Sequence, residues 1–298
     1  MAETRTDLRE ATRDTHTLGI LSEKKLEIEK DEKGEAKLIK GTLTLQTSPE
    51  NFTTYNVYTN RLTKARTENK AFKGLVTVME EYKSIAEVGK EEATIVNVRG
   101  KVDPNSYSGE QGVVERMRFS SNFFNRYNVK EGEEVEYEST FTTEVYIKAI
   151  RPEVCTQGED AGEETGRVIV DGYLALYGGG IEPIQLIAPV EDGVADAVLD
   201  MFEPGQTVLF EGAIENTRVV TVREIPMAIG KPKIERKVDY KNEMIITGAS
   251  EPYSEETAYT QEIISMALAA REERLSKPKE TTSSGVKKPA SSGRKMAW

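Results

Sequence analysis

Residues 166–190, GRVIVDGYLALYGGGIEPIQLIAPV, decide the fold class. Two runs rich in Val, Ile, Leu and Tyr flank Gly178, Gly179 and Gly180, the pattern of a β-hairpin. Glycines set between two strands, not ahead of a helix, do not make a dinucleotide-binding loop. Downstream, VADAVLDMF (194–202) predicts a short helix, and QTVLFEGAIE (206–215) and NEMIITGAS (242–250) predict strands. The order is strand, strand, helix, strand, strand.

The same order is legible upstream. LSEKKLEIEK (21–30) and EAKLIKGTLTLQT (35–47) flank a turn at Asp31 to Gly34, and NFTTYNVYTNRLT (51–63) predicts a further strand. In AFKGLVTVMEEYKSIAEVG (71–89), Leu75, Val78, Met79, Tyr82 and Ile85 recur at helical spacing and predict one amphipathic helix. Strand signal resumes in ATIVNVRGKV (93–102), ERMRFSSNFFNRY (115–127) and VEYESTFTTEVYIKAI (135–150), separated by Asp103-Pro104-Asn105 or Glu131-Gly132. KGTLTLQT (40–47) echoes DGYLALYG (171–178), matching Gly41 to Gly172, and ATIVNVRGKV echoes QTVLFEGAIE, matching Gly100 to Gly212. Mid-strand glycine suits a bend where a sheet coils into a small barrel.

The expected organisation is a polar leader (1–18), a first barrel (19–155), an acidic linker (156–165) and a second barrel (166–253). A helix follows (254–273), capped by Ser254 and carrying Tyr259, Ile263, Met266 and Leu268, and then a basic, disordered tail (274–298).

Net charge is −11 over 298 residues, which excludes a uniformly basic nucleic-acid coat and makes the distribution of charge decisive. Residues 19–155 carry only −2, whereas 274–298 carry +6. A single cysteine, Cys155, excludes an intrachain disulfide, and with one histidine, His16, it leaves too few ligands for structural zinc. A cytoplasmic location is expected, with no signal peptide and no membrane-spanning run. No phosphate loop and no nucleophile–histidine arrangement is present, and the acidic run Glu131 to Glu138 reads as a solvated face, so neither enzyme activity nor a cofactor is expected. His16, in the expected leader, reads as a solvated side chain.

Single strands are held by cations along the backbone and by aromatic rings stacked on bases. Residues 19–155 contain 13 of the 21 aromatic residues, interleaved with Arg and Lys. The candidate nucleic-acid contacts are Tyr55, Tyr58, Arg61, Arg99, Lys101, Tyr107, Arg116, Arg118, Phe123, Arg126 and Tyr127. Alternation splits Tyr55 from Tyr58 without saying which faces out, and it puts Arg116 and Arg118 opposite Met117 and Phe119.

PGQTVLFEGAIEN (204–216) followed by NEMIITGAS resembles the fourth and fifth strands of the single-stranded-DNA-binding proteins of bacteria and their phages, over about residues 36–253. The resemblance implies a mainly β protein of two tandem OB-like barrels, each with a connecting helix. It implies a protein of phage or mobile-element type that coats single strands exposed in replication, recombination or repair. Bacterial members usually end in an acidic recruiting tail; here the tail is basic and ends at Trp298. Expected partners are single-stranded DNA, replication or recombination proteins reached through Trp298, and further copies in a homo-oligomer. The rival expectation is an assembly protein, such as a virion component.

Overall fold

A computed structural model of the chain describes residues 8–109, 112–156, 161–225 and 233–276, with the side chains of 218–240 left out. The expected tail from Lys277 to Trp298 lies outside the described residues, as do parts of the leader and linker. No helix among the described residues is long and apolar enough to cross a membrane.

The chain is mainly β, arranged as two closed circuits of strands. The first contains β1 (Arg13–Lys30), β2 (Ala36–Gln46), β3 (Phe52–Asn60), β4 (Ile95–Val102) and the short β7 (Phe119–Ser120). β1 pairs β2 and β2 pairs β3 antiparallel, β3 pairs β7 parallel, and β7 pairs β4, which returns to β1. The second contains β9 (Glu138–Val154), β10 (Glu164–Ala175), β11 (Ile181–Ala188), β12 (Thr207–Ile225) and β13 (Lys233–Ala249). It closes the same way: β9 to β10 to β11, parallel to β13, then β12 and back to β9. Strand order one, two, three, five, four, with a helix after the third strand, is that of an OB barrel.

Alternation drives each strand to its place. In β3, Thr53, Tyr55, Val57 and Thr59 are buried, while Thr54, Tyr58 and Asn60 face water. The buried hydroxyls are satisfied in a chain: Tyr55 Oη lies 2.8 Å from Thr17 Oγ1, which is 2.7 Å from Ser139 Oγ, itself 2.9 Å from Thr53 Oγ1. Gly100 and Gly212 occupy the fourth strand of their circuits, where the backbones pass too close for a side chain. A Cβ on Gly100 would lie 2.6 Å from Ser120 O and from the Tyr55 ring, and one on Gly212 would lie 1.9 Å from Ile245 O.

The expected helix over 71–89 is two. Asn69 caps α1 (Lys70–Glu81), accepting from Ala71 N at 3.0 Å, and Phe72, Leu75 and Val78 bury one face of it. Tyr82 then turns into the core, where its hydroxyl donates to Phe124 O at 3.0 Å, and the backbone leaves the helix. A capping box at Ser84 and Glu87 starts the single turn α2 (Ile85–Val88), and Lys24 Nζ closes the end of α1 by donating to Met79 O and Tyr82 O.

Other expectations shift by register. β1 starts at Arg13, so the residues expected as a leader to 18 include strand, and His16 is part of a ladder. The strand expected over 115–127 is broken into the end of β6 (Gly112–Arg116), β7, and β8 (Phe124–Arg126). With β5 (Asn105–Gly109), β6 forms a separate hairpin. β9, expected to close the first barrel, opens the second circuit and also pairs β1, from Arg13 opposite Thr143 to Leu18 opposite Glu138.

The short helix α3 (Val194–Met201) appears where expected, burying Ala195 and Val198. The last helix, α4 (Gln261–Ser276), starts six residues later than a Ser254 cap predicts. Ser254 instead organises a separate turn, accepting through its carbonyl from Thr257 N and Ala258 N, and Thr260 Oγ1 accepts from Ile263 N at the true start. α4 runs from the second circuit to the β5–β6 hairpin, where Arg271 and Arg274 meet buried Glu182 of β11 and Ser106 of β5.

Candidate nucleic-acid interface

The expected contact residues fall into five places. Tyr55 is removed from the surface: it is 0% exposed and packs against Phe119 and Phe124, because its position in β3 shares parity with Val57 and Thr59. Arg61 sits by the β1–β2 turn, paired with Glu35 at 3.1 Å, and lines a separate small cleft. Arg126 lies over the Tyr82 ring at 5.0 Å beside Glu81, and the Tyr127 hydroxyl donates to Glu133, which raises the phenol above its ordinary range. Tyr107 and Arg116 face each other across the β5–β6 hairpin, with the guanidinium 5.5 Å from the ring centroid.

The remaining five come together. Tyr58, Arg99, Lys101, Arg118 and Phe123 line one open groove of about 680 Å³ with Asp14, Asn56, Asp103 and the 120–122 segment. β3 turns Tyr58 outward, β4 carries Arg99 and Lys101 two residues apart on one face, and β7 lies between them, pairing both strands. Phe123 is held out by the tight turn after β7, where its N–H donates to Ser121 Oγ at 3.1 Å and Ser121 Oγ donates to Arg99 O at 2.7 Å. Tyr58 is 64% exposed and Phe123 61%. Both large rings thus stand in water beside the cations of the groove.

The cations are partly committed. Arg118 lies 3.6 Å from Asp103 Oδ2, and its Nε is buried without an acceptor among the described residues. Lys101 donates to Glu10 Oε1 at 3.1 Å; burial pushes the Glu10 carboxyl up, but Lys101 and Arg13 outweigh it and hold the carboxyl below its ordinary range. Arg99 is exposed and makes no ion pair among the described residues.

Sequence reasoning missed the polar floor, Asn56 and the 120–122 segment, and also the extension of the groove past Arg99. A second cleft of about 480 Å³ shares Asp14, Arg99 and Gly100 with the first and continues across β1 to His16, Thr140 and Thr142. The signal was hidden because the inward residues of early β1 are Arg13, Thr15 and Thr17, which give no apolar alternation. OB barrels commonly bind oligonucleotides on strands two and three. In the first circuit the exposed rings and cations instead gather on strands three and four and on the segments that flank strand five.

Among solved structures, the chain is similar to a deletion variant of the single-stranded DNA binding protein from Thermus aquaticus. That likeness has a TM-score of 0.50 and 9% identity, over 83% of this chain and 98% of that one. The wild-type Thermus aquaticus protein is similar at a TM-score of 0.44 and 12% identity, over 83% and 95%. At such identity the first likeness speaks for the fold. No curated protein sequence matches. The YorF family matches residues 14–281, nearly the whole of both circuits and α4, and the chain therefore belongs to the YorF family.

Proposed function

We propose that this protein binds single-stranded DNA stoichiometrically, without turnover, protecting strands exposed in replication, recombination or repair. The observation that carries the reading is the groove in which Tyr58 and Phe123 stand in water beside Arg99, Lys101 and Arg118. Two exposed rings provide stacking for successive bases, and three cations track the backbone between them. Duplex DNA offers neither unstacked bases nor their faces, so the groove favours the single strand. The OB strand order supports the reading, since this barrel often carries oligonucleotides. The two circuits act as two barrel domains, with the division just before Glu138.

Fluorescence anisotropy of labelled oligo-dT against its duplex, at several salt concentrations, tests this. Binding confined to the single strand is expected, with log affinity falling against log salt at a slope of roughly −2 for three phosphate contacts. Absence of binding at low salt, with large assemblies formed by protein alone, would sink the reading in favour of an assembly protein.

A further inference from the structure

His16 lies on the strand that joins the two circuits, opposite Arg99 of β4 on one side and Thr140 of β9 on the other. Its side chain is 35% exposed, with Nδ1 3.2 Å from Glu138 Oε1. Nε2 is 3.1 Å from Asn97 Oδ1. Both neighbours are acceptors as oriented, so only the ring that carries two protons donates to both. The ring lines the extension of the groove, next to Arg99 and the half-buried Thr140 and Thr142.

We propose that His16 tunes the charge where the bound strand leaves the first barrel: the ring that carries two protons matches Glu138, and so tightens the hold on the strand. This rests on the single-strand reading above. The charged groups facing the ring are Asp14 on its own strand, Arg99 and Lys101 on β4, and Glu138 on β9. Lys101 is engaged by Glu10. With a neutral ring, the carboxylates of Asp14 and Glu138 oppose an incoming phosphate and Arg99 alone attracts it. With a charged ring, Glu138 is matched by the imidazolium, and Arg99 is left to the phosphate. Gain of the second ring proton therefore favours the bound strand, so affinity rises as pH falls.

The test is oligo-dT anisotropy with the full chain and with His16→Gln and His16→Lys, between pH 5.5 and 8 at fixed ionic strength. The wild type should bind about tenfold tighter at pH 5.5 than at pH 8, as one proton coupled over one pH unit gives. Its salt slope should steepen by about 0.7 at the lower pH. His16→Gln should be flat with pH, and His16→Lys should keep the tight value at pH 8. Because this is the only histidine, its imidazole C2–H proton resonance should move on adding oligo-dT. Wild-type pH dependence in His16→Gln, or an unmoved resonance at saturation, would overturn the inference. Binding at no pH would overturn the single-strand reading itself, whereas pH-independent binding would remove only the role of His16.

Discussion

Tyr55 and Tyr58 are three positions apart on one strand and face opposite ways, the first 0% exposed and the second 64% exposed. The difference separates folding from binding in two substitutions. Tyr55→Phe removes the hydroxyl that meets Thr17 at 2.8 Å and keeps the ring against Phe119 and Phe124. It should cost about 1 kcal/mol of stability, the worth of a buried hydrogen bond, with oligo-dT affinity unchanged. Tyr58→Ala should do the reverse, weakening affinity by about 1 to 3 kcal/mol with stability within about 0.5 kcal/mol of wild type. Urea denaturation and anisotropy read the two effects separately. A larger loss of affinity in Tyr55→Phe than in Tyr58→Ala would contradict the groove.

The β5–β6 hairpin is held against the second circuit by charge. Glu182 is 4% exposed, accepts from Arg271 Nε at 3.1 Å, and takes further bonds from Ser106 and Arg274. Arg271 also reaches Glu115 of the hairpin at 2.7 Å. Removing the central carboxylate leaves the little-exposed Arg271 with only the more exposed Glu115, so Glu182→Ala should destabilise by roughly 3 kcal/mol, the low end for a broken buried pair. Arg274→Ala, at a side chain 52% exposed, should cost no more than about 1 kcal/mol. Limited proteolysis should cut Glu182→Ala within the hairpin before any other described segment. Equal resistance in the two variants would show that packing, not this ion cluster, holds the hairpin.

The parts of this architecture that could be read from sequence are those whose inward residues are apolar. β10 and β11, with Val168, Val170, Leu174, Ile184 and Leu186 buried, were legible as a hairpin. So was the pairing of Gly100 with Gly212, whose spacing in each strand reflects the same close approach of backbones. The start of β1 was not, since Arg13, Thr15 and Thr17 point inward and are satisfied by hydrogen bonds such as that from Arg13 to Val102 O at 2.9 Å. Nor was the assignment of β9, because a strand pattern does not say which neighbours a strand will pair. Of the expected contacts, alternation correctly paired Tyr55 with Val57 but left open which face was wet. Phe123 could not be told from Phe119 and Phe124, because its exposure comes from a turn set by the Ser121 side chain.

Acid should loosen the second circuit through Glu243. This carboxylate, with a side chain 13% exposed, lies 2.7 Å from Arg167 and 2.9 Å from Lys241. Burial pushes it up, but the bonds from Arg167 and Lys241 outweigh that and hold it below the ordinary carboxylate range. A group depressed in the folded state binds its proton more readily when unfolded, so it stabilises fully above the ordinary glutamate value of about 4.3. That contribution is lost as pH falls through the lower folded value. Urea midpoints should therefore drop between pH 5 and pH 3, and Glu243→Gln should lower stability at neutral pH while flattening that drop. The sign is fixed by linkage: a variant that kept the full acid sensitivity would assign it to other carboxylates, with Glu10, also held low by Lys101 and Arg13, the next to test.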